Sequence, residues 1–470
     1  MNAFSRRGAC PALSAPMQTG DGLLVRLNPV AGGPSSGGPS SGGPSSGGPS
    51  SGGLSPKLLI ALAESASRHG NGIMEVTARG SLQIRGLTTE SAALLATEVD
   101  ALGIAVRTGL PVETGPLAGI DPHEIADPRP MAERITAAIE GAGLAPRLGP
   151  KVSVVVDGGG QLTLDAVTAD VRLKAVGVSA GTLWAISVAG DSQSEKRLAT
   201  ADEDAARDIA VAALRMVAEK GRDAHTRDLS ERQLASLAGW HSTPPPSVLP
   251  EIGGTEEGAV EHSCLPVGLF DLNNGHAFGI GLPYGSMPAD KIIGLAQSSL
   301  ALGTSEIRLA PGRALLFLGQ PANANQSLHH TAATLGFVTS PTDPRTRIAA
   351  CPGAPACASG RIATRDIAEA IATENADILD FTLHVSGCAK GCANPGPAAL
   401  TIVGGENGAG LVVNATAKAL PAGYRPGYDA ARGFSRVAAM IRGARYQGET
   451  AAACLTRLGT AGLAQTYLQE

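Results

Sequence analysis

The sequence predicts an α+β protein built twice over, each half holding a small sheet-and-helix unit followed by a larger mixed α/β lobe. Three observations carry this. An order of strand, helix and hairpin near the N-terminus returns about two hundred residues later. A proline-rich stretch, HSTPPPSVLPEIGG at 241–254, stands between the two copies as a linker. The chain has 470 residues and 43% hydrophobic content, enough for several buried cores.

In chain order, GLLVRL (22–27) reads as a strand and LSPKLLIALAESASRHG (54–70) as a helix, with Ser55 capping it and Pro56 in its first turn. GIMEVTARGSLQIRGL then reads as two strands around a turn at Arg79, Gly80 and Ser81. The second copy runs from His276 to Gly319, with IGLPYG, MPADKIIGLA and EIRLAPGRALLFLG in matching places. Between strand and helix of the first copy, GGPSS repeats four times from Gly32 to Ser51. Such a run cannot bury apolar surface against its ordering entropy, so it is an elaboration of one loop.

Each copy is followed by an α/β stretch. The first has a helix in DPRPMAERITAAIEGAG, strands in KVSVVVDGGGQLTLD and TLWAISVAG, and a helix in AARDIAVAALRMVAEKG. The second has the helix ATRDIAEAIATENA, strands FTLHVSG and ALTIVGG, and C-terminal helices. The expected units are therefore 1–110, 111–240, 255–340 and 341–470 around the linker.

Composition excludes several roles. A net charge of −5 leaves no electrostatic footprint for nucleic acid, and 3% aromatic content offers few stacking platforms. No run of eighteen apolar residues occurs and the N-terminus lacks an apolar h-region, so the expectation is a cytoplasmic chain without membrane contact. Glycine runs such as VDGGGQ and GIGLPYG lack the phosphate-loop and dinucleotide registers.

The chemistry concentrates in four cysteines. Cys351 and Cys357 in CPGAPAC, then Cys388 and Cys392 in SGCAKGC, give C-x5-C and C-x3-C pairs. Their small neighbours let backbone amides approach an inorganic core, which points to a 4Fe-4S cluster. Zinc and unrelated buried thiols are the alternatives, although zinc pairs span about two to four residues and the five-residue gap fits poorly. Seven cysteines in all, with Cys10, Cys264 and Cys454 far from these four, argue against a secreted disulfide framework.

The duplicated order, the cysteine spacing and a T-x-R-x-x-x-Q hairpin at Thr77, Arg79 and Gln83 together resemble the sulfite/nitrite reductase family. That resemblance implies two ferredoxin-like half-domains and two α/β lobes, with a 4Fe-4S cluster beside a tetrapyrrole. RRGACP, PMQTGDGLLVRL, GPLAGIDPHEIADPRP and SGCAKGCANPGP are similar to the precorrin-3B synthase branch of aerobic cobalamin biosynthesis. The branch implies a monooxygenase that hydroxylates precorrin-3A at C-20 with dioxygen, as a γ-lactone closes. Its electrons would come from NADH or from a separate reductase or ferredoxin. In the alternative reading, a sulfite or nitrite reductase, sirohaem is a permanent cofactor.

Residue by residue, the resemblance implies Arg79, Lys151 and Lys390, with Gln83 of the same hairpin motif, as contacts for the tetrapyrrole, and Arg85, six residues after Arg79 and on the same face by period two, is a second arginine candidate. Bare chemistry offers a turn arginine, a solvent-facing strand glutamine and a snorkelling lysine instead. The branch is also associated with a non-haem iron, for which His123 with Glu124 or Asp121 is the candidate set. Those residues equally suit an ordinary helix entrance. His329, His330 and His384 read as structural or surface histidines.

Overall fold

The computed structural model describes residues 11–29, 53–178, 181–239 and 265–469. The GGPSS run, the 241–254 linker, Cys10 and Cys264 lie outside them.

The first unit runs β1 (Met17–Thr19), β2 (Gly22–Leu27), β3 (Gly53–Leu54), α1 (Pro56–His69), β4 (Ile73–Val76), β5 (Leu82–Leu87) and α2 (Thr89–Ala101). The second runs β6 (Val112–Thr114), α3 (Arg129–Gly141), β7 (Val154–Asp157), β8 (Ala169–Val178), β9 (Gly181–Gly190), β10 (Lys196–Ala201), α4 (Glu203–Lys220) and α5 (Glu231–Ala238). A third unit follows with β11 (Gly268–Leu272), β12 (Gly275–Gly281), β13 (Ser286–Pro288), α6 (Ala289–Ala301), β14 (Glu306–Ala310), β15 (Ala314–Leu318) and α7 (Asn325–Thr334). The fourth holds β16 (Ile348–Ala350), α8 (Thr364–Glu374), β17 (Leu383–Ser386), β18 (Ala398–Gly405), β19 (Gly408–Ala415), β20 (Tyr424–Arg425), α9 (Ala430–Ala444) and α10 (Ala451–Leu468). Strand for strand and helix for helix, the third unit repeats the first and the fourth repeats the second.

Pairing repeats as well. The sheets of the second and fourth units both place three parallel strands, β6-β7-β8 and β16-β17-β18, before two antiparallel ones. In the first and third units, each sheet is completed by the other's strand. β13 pairs with β4 to give β1-β2-β5-β4-β13, and β3 pairs with β14 to give β11-β12-β15-β14-β3. This reciprocal exchange draws α1 and α6 together, and Leu59, Leu62, Ile292 and Leu295 of the two helices share one core.

Local chemistry sets α1 as expected. Ser55 Oγ accepts from Leu58 N at 3.2 Å and Pro56 takes the first turn, where a missing N–H costs nothing. The sheets of the first and third units differ in their second faces. In the first unit Leu23, Val25, Met74, Val76, Leu82 and Ile84 face the core, while Arg26, Glu75, Gln83 and Arg85 take the alternating positions. In the third unit the corresponding face is apolar, and Ala277, Ala314 and Leu316 pack on Leu117 and Leu162 of the second unit. The second unit thus covers the third, and the fourth covers the charged face of the first.

One expected strand is absent. GQLTLD is a turn, because Asp157 accepts from Gly159 N at 2.9 Å and Leu164 N at 2.8 Å and folds the chain back on itself. The strand begins later, at Ala169. Among the described residues no helix is long and apolar enough to cross a membrane.

Candidate functional site

β16 and β17 are adjacent and parallel, with Ala350 opposite Val385, so Cys351 and Cys388 emerge together from their carboxyl ends. Ligands gather at that edge in open α/β sheets. Gly387 N donates to Cys351 Sγ at 3.1 Å, the amide-to-sulfur bond that tunes an iron-sulfur centre. A Cβ at position 387 would stand 3.0 Å from Gly353 Cα and 3.5 Å from Cys351 Sγ, so only glycine lets the two loops close this far. Lys390 Nζ donates to Ser359 Oγ at 2.7 Å and ties the loops across their tops.

Cys351 is buried, Cys357 and Cys388 are half-buried and Cys392 is exposed. Such burial as Cys392 has, then the charges of Cys351, Cys388 and Cys357, push its thiol up, and Lys390 opposes them. Cys392 therefore senses the other three sulfurs. No three His, Cys, Asp or Glu side chains among the described residues stand close enough to share one metal ion. Four thiolates on two loops are the donor set of a cube of four irons and four sulfides. The cradle fits such a cluster in donor number, donor type and amide bonding. Cys454, by contrast, is buried inside α10 against Ile441.

The first cysteine loop docks on the first unit. Arg85 donates from Nε and Nη2 to Asp21 at 3.0 and 2.9 Å, from Nη1 to Glu75 at 3.3 Å, and from Nη2 to the Ala356 carbonyl at 2.6 Å. Burial works against its charge, but Asp21 and Glu75 outweigh it and raise its pKa. Glu75 also accepts from Arg365 of α8. Gln83 is buried beside them; with its amide turned to satisfy both neighbours, it donates to Glu75 at 3.2 Å and accepts from Arg26 Nη2 at 2.6 Å. Arg85 and Gln83 were expected at a substrate face, and Gln83 alternatively in solvent. Instead Arg85 clasps the cysteine loop, and Gln83 braces Glu75 beside it.

Arg79 is placed elsewhere. Residue 79 lies in the turn before β5, so alternation along the strand does not extend to it, and it points to the second unit rather than toward the cysteines. Its Nη1 donates to the Thr168 carbonyl at 2.6 Å, and Nη2 donates to Glu113 at 2.5 Å and Ser153 Oγ at 3.1 Å. An open cleft begins here, lined by Asn28, Arg79, Arg107, Glu113, Leu164 and Pro311 among others. The two hairpin tips touch beside it, with Gly312 N donating to the Ala78 carbonyl at 2.9 Å. One residue on, Arg313 reaches Ala393 O between the last cysteine and Asn394 at 3.2 Å. Arg313 adopts a left-handed backbone (φ 67°), strain of the kind that collects at functional sites.

The remaining expectations meet different fates. Lys151 is exposed ahead of β7. His123 is exposed too, while buried Asp121 accepts from the backbone of His123 at 2.9 Å and of Gln161 at 2.6 Å, closing two turns. Glu124 accepts from Gly119 N at 2.8 Å. These are loop-closing carboxylates, and they supply no iron ligand set. Burial, with Asp127 and Asp121 adding to it, pushes Glu124 up to about 7. A carboxyl whose pKa rises on folding binds its proton more tightly in the native state, so stability falls as pH climbs from about 4.5 to 7. We expect Glu124→Gln to flatten this loss, on the order of 1–2 kcal/mol after allowance for solvent screening. Thermal unfolding of both proteins at pH 5 and pH 8 checks it; equal slopes would exclude the assignment.

His384 was read as an ordinary structural or surface histidine. It is fully buried on β17 near the second cysteine loop, with neither ring nitrogen hydrogen-bonded. Burial, then the nearby Arg313, lower its pKa to about 4, so the imidazole is neutral. Its place four residues before Cys388 was the available signal.

Residues 44–102 match a family model described as the nitrite/sulfite reductase ferredoxin-like half domain. The structure of Mycobacterium tuberculosis NirA protein superposes with a TM-score of 0.68 at 18% identity, over 94% of this chain and 84% of that one, a likeness of fold. Fold and half-domain match thus give the chain the nitrite/sulfite reductase-like fold. A precorrin-3B synthase from a Sinorhizobium species is 38% identical over 473 residues, 99% of this chain and 96% of that protein. The chain belongs to the precorrin-3B synthase family. Both levels of the resemblance read from the sequence hold.

Proposed function

We infer that this chain is an oxidoreductase that converts precorrin-3A to precorrin-3B on the way to cobalamin. The observation that carries the reading is the near-full-length kinship just described, at 38% identity over 99% of the chain. It favours this reaction over sulfite or nitrite reduction.

The reaction is a monooxygenation at C-20 with closure of a γ-lactone. Dioxygen takes four electrons, two from the macrocycle and two from a donor, and one oxygen atom leaves as water. Cys351, Cys357, Cys388 and Cys392 would hold a 4Fe-4S cluster, which supplies one-electron transfer when bound. Electrons enter from a separate reductase or ferredoxin, since the sequence holds no recognisable nicotinamide or flavin motif.

The chain's own residues divide the remaining work. Arg79 and Arg107 offer planar donors to substrate carboxylates at the cleft. Arg85, Gln83 and Lys390 act at a distance, by fixing the cysteine loops. Buried His384 stays uncharged beside the second loop. The non-haem iron implied by the resemblance gets no ligand set from His123 and Glu124, and no step is assigned to it.

The test is conversion of precorrin-3A by protein purified without oxygen. Product should form on admission of air with a reductant and not under nitrogen. Intense sirohaem bands in the purified protein, with sulfite or nitrite turnover, would sink the reading.

A further inference from the structure

The cleft carries a feature that sets what it will accept. Of the described residues lining it, only Arg79, Arg107 and Glu113 are charged. Glu113 stands on β6 between the two arginines. Its Oε2 is 2.5 Å from Arg79 Nη2 and its Oε1 is 3.6 Å from Arg107 Nη2. The carboxylate is largely shielded, at 14% exposure, against 33% for Arg79 and 23% for Arg107. Burial lowers the Arg107 pKa, Glu113 works against that and Arg79 adds to it, so the arginines sense each other.

Two such guanidiniums without the carboxylate would make a seat for any small oxyanion, because planar donors match carboxylate, phosphate and sulfite alike. We propose that Glu113 is a specificity-determining residue, an internal carboxylate that occupies the Arg79–Arg107 pair against free inorganic anions. A tethered competitor acts at an effective concentration of about millimolar or more, and a small anion lacks the further anchoring body that would help it displace the carboxylate. A ligand bearing several carboxylates, held elsewhere by the rest of its body, can trade one of them for Glu113. Discrimination therefore comes from a repulsive element as well as an attractive one. This deepens the reading above, in which the substrate is a polycarboxylate.

The experiment is calorimetric titration of inorganic phosphate, and separately of sulfite, into the full-length protein purified without oxygen. Glu113→Gln, nearly isosteric and uncharged, should bind each anion at least about tenfold more tightly than the parent chain. Adding Arg107→Met to Glu113→Gln should abolish the gain. Glu113→Asp, which retracts the charge by one methylene, should give a smaller gain, and it keeps the test if the glutamine variant does not fold. Equal affinity in parent and variants overturns the proposal, as does a gain that survives Arg107→Met. Because the probes are inorganic, failure to turn over precorrin-3A would strike the reaction alone and leave this result standing.

Discussion

Cys357→Ala should yield a folded protein without iron-sulfur absorbance, its iron and acid-labile sulfide falling at least about tenfold. Cys357 occupies the middle of the first loop, where its N–H donates to Gly353 O at 2.7 Å and its carbonyl accepts from Gly360 N at 2.8 Å. Alanine keeps both backbone bonds and loses only the thiolate, so the fold survives while a cube is left one ligand short. Cys351→Ala, Cys388→Ala and Cys392→Ala should behave alike. Cys454→Ala should retain full cluster content, since that sulfur lies in the core of the fourth unit. Full iron and sulfide in the Cys357→Ala protein would refute the ligand assignment. A cluster lost only in Cys454→Ala would relocate it.

The duplication was legible because hydrophobic period and turn residues recur in both copies, from Gly22 and from His276 onward. The reciprocal strand exchange was not. β3 is two residues long, and its partner Ile307 lies far along the chain, so no local pattern marks it. Site residues divide in the same way. Cysteine loops advertise themselves through spacing and small neighbours. Arg85 and Gln83 look like exposed positions on an alternating strand, and only Asp21, Ala356 and Arg365, brought in from other units, turn that face inward. Glu113 and Arg107 belong to no motif. They matter because the Arg79 turn packs on β6, a tertiary fact. His384 was legible only as a structural or surface histidine, because period two marks a face without saying what covers it.

Arg85→Met should destabilise the first unit by about 3–5 kcal/mol and loosen the cysteine loop, because it leaves Asp21 and Glu75 facing a buried apolar stem. The side chain is 5% exposed, so water cannot replace the lost donors. Arg85→Lys should recover little. One ammonium cannot span Asp21, Glu75 and the Ala356 carbonyl together, a geometry that requires the guanidinium fork. Two measurements separate the clasp from a direct substrate role. Thermal unfolding should begin at lower temperature in Arg85→Met, and its cluster should bleach faster under an iron chelator with no substrate present. Pairing Arg85→Met with Asp21→Asn should restore part of the stability, since the penalty comes mainly from the stranded carboxylate, but not the slow bleaching, which needs the bond to Ala356. If Arg85→Met matched the parent chain in both measurements and lost only precorrin-3A binding, the arginine would belong to the substrate after all.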